Sequence, residues 1–256
     1  MGKFFSVEVE PHMSRDMGTT AGSTAFSDKN ILFDWTPFDV PKGSSQLKSI
    51  EAIIRGTNGA DQSNTTQDIE LIFARSIDGD APSTLGVINA AVTAGTTETT
   101  GVGWFRNIIG TIFMDATNND TDGALTFIHS FSSSYEALRD AVILTGEPDS
   151  GTNVGFDKLY VAGIQHGTGF NFNTNVILDG AASAGSASTL TVGTTSALNV
   201  FQKGDVIVAQ DGALAGTVLA LTATTIRLTT NNVDALANSD ELFHKSPIRL
   251  EIGFEK

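Results

Sequence analysis

Clusters of Gly, Asn, Asp, Ser and Thr divide this sequence into short runs rich in Ile, Phe, Val and Leu. GTNGADQSN, SIDGDAP and NNDTDG are three such clusters, and their residues are those that tight turns require. The runs between them are short, and their β-branched and aromatic side chains suit a pleated strand. With 256 residues, 40% of them hydrophobic, the chain can bury a sizeable core. The pattern predicts an all-β protein with many short strands.

Seven runs before residue 167 are predicted to be strands: 4–9, 31–35, 49–56, 68–76, 108–115, 125–131 and 158–165. In the first, Phe5, Val7 and Val9 alternate with polar residues, which indicates an edge or half-buried strand that Pro11 ends. This number of strands favours an antiparallel β-sandwich of jelly-roll type. Apolar residues at helical spacing over 135–144 predict one short helix.

A second, smaller domain is predicted after the texture changes near residue 175 and the linker-like GAASAGSAS at 180–188. Residues 188–208 resemble residues 224–244, which begin 36 positions later. Such a weak internal repeat suits a small β-barrel or β-roll with two related halves. We therefore expect a sandwich domain at 1–175, with a polar arm at about 12–30, and a small barrel domain at 180–256.

Within this second domain, the stretch GDVIVAQDGALAGTVLALTATTIRLTT predicts a meander of strands and turns. Asp211 and Gly212 form a typical two-residue hairpin signal. Asp205 precedes a strand, where a carboxylate caps a turn far more often than it catalyses a reaction. The acidic residues of this stretch are thus interpreted as turn residues.

Charge and cysteine content exclude several classes of function. The chain has 29 acidic and 15 basic residues, a formal charge of −14, which would repel a nucleic-acid backbone. It contains no cysteine, so disulfides, thiolate metal sites and cysteine nucleophiles are excluded. No apolar segment approaches the roughly 18 residues of a membrane span. We expect no direct nucleic-acid binding, no membrane association and no cofactor.

Candidate metal ligands are few. NNDTDG at 118–123 matches the first half of a calcium loop, which makes Asp120 and Asp122 weak calcium candidates. His129 occupies the twelfth position, where such a loop needs a bidentate Glu, so a polar hairpin is favoured. Asp78 and Asp80 in SIDGDAP are open to the same two interpretations, and again a turn is favoured.

Catalytic motifs are equally sparse. Glu51, Asp68 and Glu70 are candidate carboxylates for glycoside hydrolysis, but they alternate with apolar residues as on a solvated strand face. The 16 Phe residues, against two Trp and two Tyr, indicate that aromatic rings mostly fill cores. The favoured interpretation is a protein that is not an enzyme, with a hydrolase as the remaining alternative.

The segment VFQKGDVIVAQDGALAGTVLALTATTIRL, followed by NSDELF, resembles segments that recur in virion structural proteins of tailed bacteriophages, particularly marine and cyanobacterial ones. The strands LKSIEAIIRG, DIELIFARS, IIGTIFMD and KLYVAGIQHG are similar in texture to an outer-capsid β-sandwich. The resemblance implies a component of the particle: a capsid decoration (cement) protein, or a tail or neck protein. Such families carry no catalytic residues that could be transferred to this chain.

The expected function is therefore that of a capsid decoration protein, made in the host cytoplasm and located on the capsid surface of the virion. Its expected partners are the major capsid protein lattice and copies of itself, as a homotrimer, because capsid lattices offer three-fold positions. The polar arm is the expected contact segment, with Arg15 and Asp16 as its charged contacts. The alternative is a tail, neck or fibre-associated protein that binds a receptor or glycan, which would expose Trp35 and Trp104.

Overall fold

The computed structural model describes residues 3–12, 25–55, 68–77, 80–92, 104–114, 128–129, 143–145, 156–167 and 171–256. Every strand pair in these ranges is antiparallel, and the only α-helix among them is the single turn α1, Ala197–Val200. The predicted all-β class is confirmed. The strands are β1 Phe4–Val9, β2 Ile31–Pro41, β3 Ser44–Ile54, β4 Asp68–Arg75, β5 Ile108–Met114, β6 Ile128–His129, β7 Ile143–Thr145, β8 Phe156–His166, β9 Val176–Leu178, β10 Thr189–Thr194, β11 Val206–Ala209, β12 Leu214–Leu221, β13 Thr225–Leu228, β14 Leu242–His244 and β15 Ile248–Glu255.

Two sheets form a β-sandwich. The first has the order β1-β15-β3-β6, with β7 also paired to β3, and the second has the order β2-β8-β4-β5. The inward side chains of both sheets meet in one core, which includes Leu47 and Ile50 of β3, Phe73 of β4 and Leu159 of β8. Burial of this apolar surface is what holds the two sheets together.

The outer face of the second sheet carries a smaller core. Ile72 of β4 and Ile164 of β8 point away from the sandwich interior and pack against Leu85 and Trp104. Trp104 begins a single 3-10 turn, Trp104–Arg106. The connections between the strands therefore cover part of this face, and the second sheet is buried on both sides there.

Strand positions follow the sequence closely. β1 spans the predicted residues 4–9, and the observed β4, β5 and β8 lie within two residues of their predicted bounds. The predicted helix at 135–144 is wrong at its last two residues, because Ile143–Thr145 pairs with β3 as a strand. Residues 135–142 lie outside the described residues.

Six strands in the order β14-β11-β12-β13-β10-β9 form a barrel that is nearly closed. β9 approaches the segment that precedes β14, where the N–H of Leu178 donates to the carbonyl of Asp240 at 2.8 Å and Ile177 forms an isolated bridge with Glu241. A separate core fills it, with Val192, Ile207 and Ile226 among its buried residues. The predicted small barrel is confirmed.

The internal repeat is reflected in the strand pairing of this barrel. Strands at equivalent positions of the repeat pair with each other: β10 with β13, through Leu190 and Ile226, and β11 with β14, through Val208 and Phe243. β12 pairs with β11 and β13, and β9 pairs with β10. The two repeats thus supply four of the six barrel strands.

The hairpin between β11 and β12 differs from the two-residue turn that the sequence predicts. Ala209 donates its N–H to the carbonyl of Ala213 at 2.8 Å, so the loop has three residues, 210–212. Gly212 adopts φ +87° and donates to the Ala209 carbonyl at 2.9 Å. This is a type I turn followed by a left-handed residue, which requires glycine at position 212.

Sandwich strands lie on both sides of the barrel in the sequence. β9 starts the barrel at Val176, and the last strand, β15, lies between β1 and β3 of the sandwich. Ile248, Leu250, Ile252 and Phe254 of β15 alternate with other residues, and all four are buried in the sandwich core. The barrel strands therefore lie in the sequence between β8 and β15.

Candidate functional site

The sequence-predicted site residues lie mostly outside the described part of the chain. Arg15 and Asp16 of the arm and the calcium candidates Asp120 and Asp122 are all among the residues that the structure does not describe. At the described start of the arm, Nδ1 of His12 lies 3.0 Å from Oγ of Ser246. The interface and calcium predictions therefore stay predictions.

Asp80 lies in a turn, which agrees with the favoured interpretation of SIDGDAP. The main-chain N–H groups of Ile77 and Asp80 each donate to the other residue's carbonyl at 3.0 Å. Within the described ranges, no group of three or more His, Asp or Glu side chains is placed to hold a metal ion. No helix in those ranges is long and apolar enough to cross a membrane.

Glu51 belongs to a row of carboxylates across the first sheet. Glu8 of β1 is opposite Glu251 of β15, and Glu251 is opposite Glu51 of β3. Like charges at directly opposed positions repel, and among the described residues Arg249 lies 3.7 Å from Glu251 at an exposed position. The outer face of the sheet is therefore acidic up to its edge at β1.

Glu70 pairs with a histidine that the sequence analysis did not single out. Oε2 of Glu70 on β4 lies 2.9 Å from Nε2 of His166 on β8, and the ring of Phe113 on β5 meets the imidazole edge-on at 5.0 Å. Asp68, the other candidate carboxylate of β4, is opposite His166 in the strand register. A carboxylate that fixes one imidazole nitrogen orients the ring, so this cluster braces β4, β8 and β5 at a half-exposed surface.

A second charged cluster joins the sandwich to the barrel. Nη2 of Arg55, which directly follows β3, donates to Oδ1 of Asp205 at 2.8 Å. Asp205 also accepts the N–H of Gln202 on Oδ2 at 2.8 Å, which confirms its predicted role as a turn cap. The carboxylate thus holds a barrel turn and the sandwich arginine at the same time.

His244, at the end of β14, completes this cluster. Its Nε2 lies 3.1 Å from the carbonyl of Val200, and its Nδ1 lies 3.4 Å from Oδ2 of Asp205. Burial of the ring, followed by the charge of Arg55, lowers the pKa of His244 to about 3, although the Val200 carbonyl opposes the shift. The ring is therefore neutral at pH 7, and its single N–H faces either the Val200 carbonyl or the Asp205 carboxylate.

The two tryptophans differ in accessibility. Trp104 is 7% exposed, so it does not offer the sugar platform that the glycan-binding alternative expects of it. Trp35 is half-buried and donates its Nε1 hydrogen to the carbonyl of Ser83 at 2.8 Å. Phe105, stacked on Trp104 at 4.1 Å between ring centroids, is 66% exposed.

Strand β1 forms an edge of the first sheet. It pairs with β15 on one side, and no described strand pairs with its other side. Its inner side chains face the core, where the Phe5 ring stacks on Phe254 at 5.1 Å between centroids. Its outer face carries Phe4, which is 73% exposed. An edge with accessible main-chain groups beside a large apolar ring is suited to pairing with another strand.

Comparisons with known proteins give no relative for this arrangement: no protein-family model, no curated protein and no solved structure matches the chain.

Proposed function

We propose that this protein is a non-enzymatic structural component of a tailed-phage virion, and that it acts as a capsid decoration protein on the major-capsid lattice. In this function the protein stabilises the lattice by binding energy: each bound copy buries surface across subunit boundaries and so favours the assembled state. The capsid surface is its proposed location and a homotrimer at lattice three-fold positions its proposed form.

The edge of β1, where no described strand pairs on the side away from β15, is the observation that best supports an assembly function. β1 offers main-chain hydrogen-bonding groups and the exposed ring of Phe4 at the edge of a sandwich with a buried core. An exposed strand edge is a template for strand addition, and folded proteins normally cover or disrupt one. The resemblance of the barrel segment to virion proteins points in the same direction.

The test is cosedimentation of the purified protein with expanded capsids that lack it, run beside tail preparations, with the bound protein quantified. We expect saturable binding to capsids at a ratio set by lattice symmetry. Replacing Phe4 by Ser should weaken binding at least tenfold, about 1.4 kcal/mol, if the β1 edge contributes to the contact. Phe113→Ser is the matched control, because it removes a half-exposed ring from the other sheet.

The polar arm is tested in the same assay. We expect Arg15→Ala and Asp16→Ala to reduce capsid binding, since both are proposed contact residues. If neither substitution nor removal of residues 13–24 changes the bound stoichiometry, the arm is not a contact segment. If the protein sediments with tails and not with capsids, the decoration function is wrong.

A receptor- or glycan-binding function on a tail or fibre is the second candidate, and the exposed ring of Phe105 is the observation that favours it. Sugars stack on exposed aromatic rings, and the Trp104 indole directly beneath Phe105 would report such binding. Quenching of tryptophan fluorescence by host polysaccharide, lost in Phe105→Ala, would support this function over capsid decoration.

A further inference from the structure

The hydrogen-bonding direction of each residue in β1 follows from the bonds at its start. Lys3 and Lys256 exchange both main-chain bonds, with the N–H of Lys3 donating at 3.1 Å and that of Lys256 at 2.9 Å. In an antiparallel ladder, such reciprocal pairs alternate with pairs whose groups point away. Phe5, Val7 and Val9 therefore bond to β15.

The other three residues of β1 are Phe4, Ser6 and Glu8. Their N–H and C=O groups point away from β15, in the plane of the sheet and past its edge. Their side chains lie on the outer face and are exposed, and within the described part of the chain these main-chain groups have no hydrogen-bond partner. A partner strand that bonds to all three must be extended and must tolerate a small residue between an aromatic ring and a carboxylate.

We propose that this partner is β1 of a second copy of the same chain, paired antiparallel, with Ser6 on the two-fold axis. In this register Ser6 is opposite Ser6 of the second copy, and Phe4 is opposite Glu8 at both ends. Each of the three outward residues of β1 then meets an outward residue, and each pair exchanges two main-chain bonds. On the inner face, Phe5 is opposite Val7, which extends the apolar layer of the sandwich.

Charge selects this register over its neighbours. Glu8 lies opposite Glu251, which in turn lies opposite Glu51, so a register that places Glu8 opposite Glu8 would extend a row of like charges. A shift of one residue would place outer side chains opposite core-facing ones. If Val7 lay on the two-fold axis, Ser6 of each copy would bond to Glu8 of the other. Phe4 would then have no partner within β1 of the second copy. The two-fold contact does not depend on a capsid and concerns the free protein; on a capsid, the same edge of β1 would have to exchange this partner for the proposed lattice contact.

The absence of cysteine from the chain makes the register directly testable. Single variants Ser6→Cys and Glu8→Cys each introduce one thiol at an exposed position, and each is oxidised with copper phenanthroline at micromolar protein concentration. Directly opposed residues of a bonded pair have Cα atoms about 5.5 Å apart, within reach of a disulfide. We expect Ser6→Cys to give a covalent dimer and Glu8→Cys to remain uncrosslinked. If Ser6→Cys stays monomeric on a denaturing gel, or if Glu8→Cys crosslinks equally, the proposed pairing is wrong.

A mixture of Phe4→Cys and Glu8→Cys supplies the complementary test, because this register places those two residues opposite each other. The mixture should crosslink, and neither variant alone should. Adding Ser6→Pro to both chains should abolish the mixed dimer, since proline removes an outward N–H while leaving the bonds from β1 to β15 in place. Ser6→Thr is the control that retains the N–H and should retain the crosslink. Persistence of the mixed dimer in the proline variants would overturn the pairing.

Discussion

Single residues in the sandwich are fixed by close contacts across its strands, and Gly163 is the clearest case. It lies in β8 opposite Phe33 of β2, and a Cβ atom at position 163 would lie 2.3 Å from the Phe33 ring. The ring fills the space that any side chain would need. The sequence of β8 alone, KLYVAGIQ, gives no sign of this requirement, because the ring comes from a strand distant in sequence.

Gly163→Ala should therefore destabilise the protein by about 1 to 3 kcal/mol, the usual effect of overpacking a filled core. Gly253→Ala is the matched control, because a Cβ there would meet only the Ser49 hydroxyl, which can rotate away. The free energy of unfolding of each variant is measured by urea titration. An equal loss for both substitutions would show that the Phe33 contact is not the cause.

At the scale of elements, the sequence predicts strands well and their partners poorly. The alternation of Phe5, Val7 and Val9 places β1 correctly because it is a local property of the chain. β15 pairs with β1 and β3, which are both distant from it in sequence. The residue pattern of β15 predicts a strand but does not identify these two partners. Residues 143–145 have a spacing that fits a helix as well as a strand, and pairing with β3 decides between them.

The sequence did not predict the charged clusters either, because strand pairing brings together residues that are far apart in sequence. Glu70 was a candidate carboxylate, but its partner His166 is supplied by the pairing of β4 with β8. Asp205 was correctly interpreted as a turn cap, since that contact lies within four residues. Its second contact, with Arg55, joins two elements far apart in sequence.

The cluster of Arg55, Asp205 and His244 predicts a specific dependence of the folding stability on pH. Unfolding raises the pKa of His244 from about 3 to its ordinary 6.5, so the unfolded state binds a proton that the folded state does not. Stability is then complete above pH 6.5 and falls as the pH decreases towards 3, by about 1.4 kcal/mol per pH unit from this group. Burial raises the pKa of the Asp240 carboxyl, and this shift acts in the opposite direction at low pH.

His244→Gln isolates this contribution, because glutamine can still donate to the Val200 carbonyl but cannot titrate. We expect the free energy of unfolding of this variant to decline less steeply between pH 6.5 and 4 than that of the wild type. Phe201→Leu, which alters the ring packed on His244 at 4.7 Å, should lower stability at every pH and keep the wild-type slope. Parallel slopes for wild type and His244→Gln would exclude a buried neutral histidine.

For the whole molecule, the main feature is a nearly closed barrel whose strands lie in the sequence between β8 and β15 of the sandwich. The barrel has its own core, and its strands β9 to β14 are contiguous in sequence. Beyond its two chain connections, the described contacts to the sandwich include the pair between Arg55 and Asp205. The sandwich, by contrast, needs β15 as an interior strand of its first sheet.

A fragment of residues 171–247 should therefore fold alone, whereas the chain truncated after Pro247 should lose the sandwich. We expect the fragment to unfold cooperatively on heating and to give dispersed amide resonances. In the truncated chain, only the resonances of the barrel should remain dispersed. A disordered fragment would mean that the barrel depends on the sandwich, and a fully folded truncated chain would mean that β15 is dispensable.

The position of β15 also determines the order in which the protein can form during synthesis. A ribosome makes roughly 5 to 20 residues per second and delivers the N-terminal parts first. All of the barrel emerges before β15, so the barrel can close while β1 and β3 still lack the strand that lies between them. The nascent chain consequently carries two unsatisfied strand edges until β15 emerges, and this interval is when chaperones would be needed.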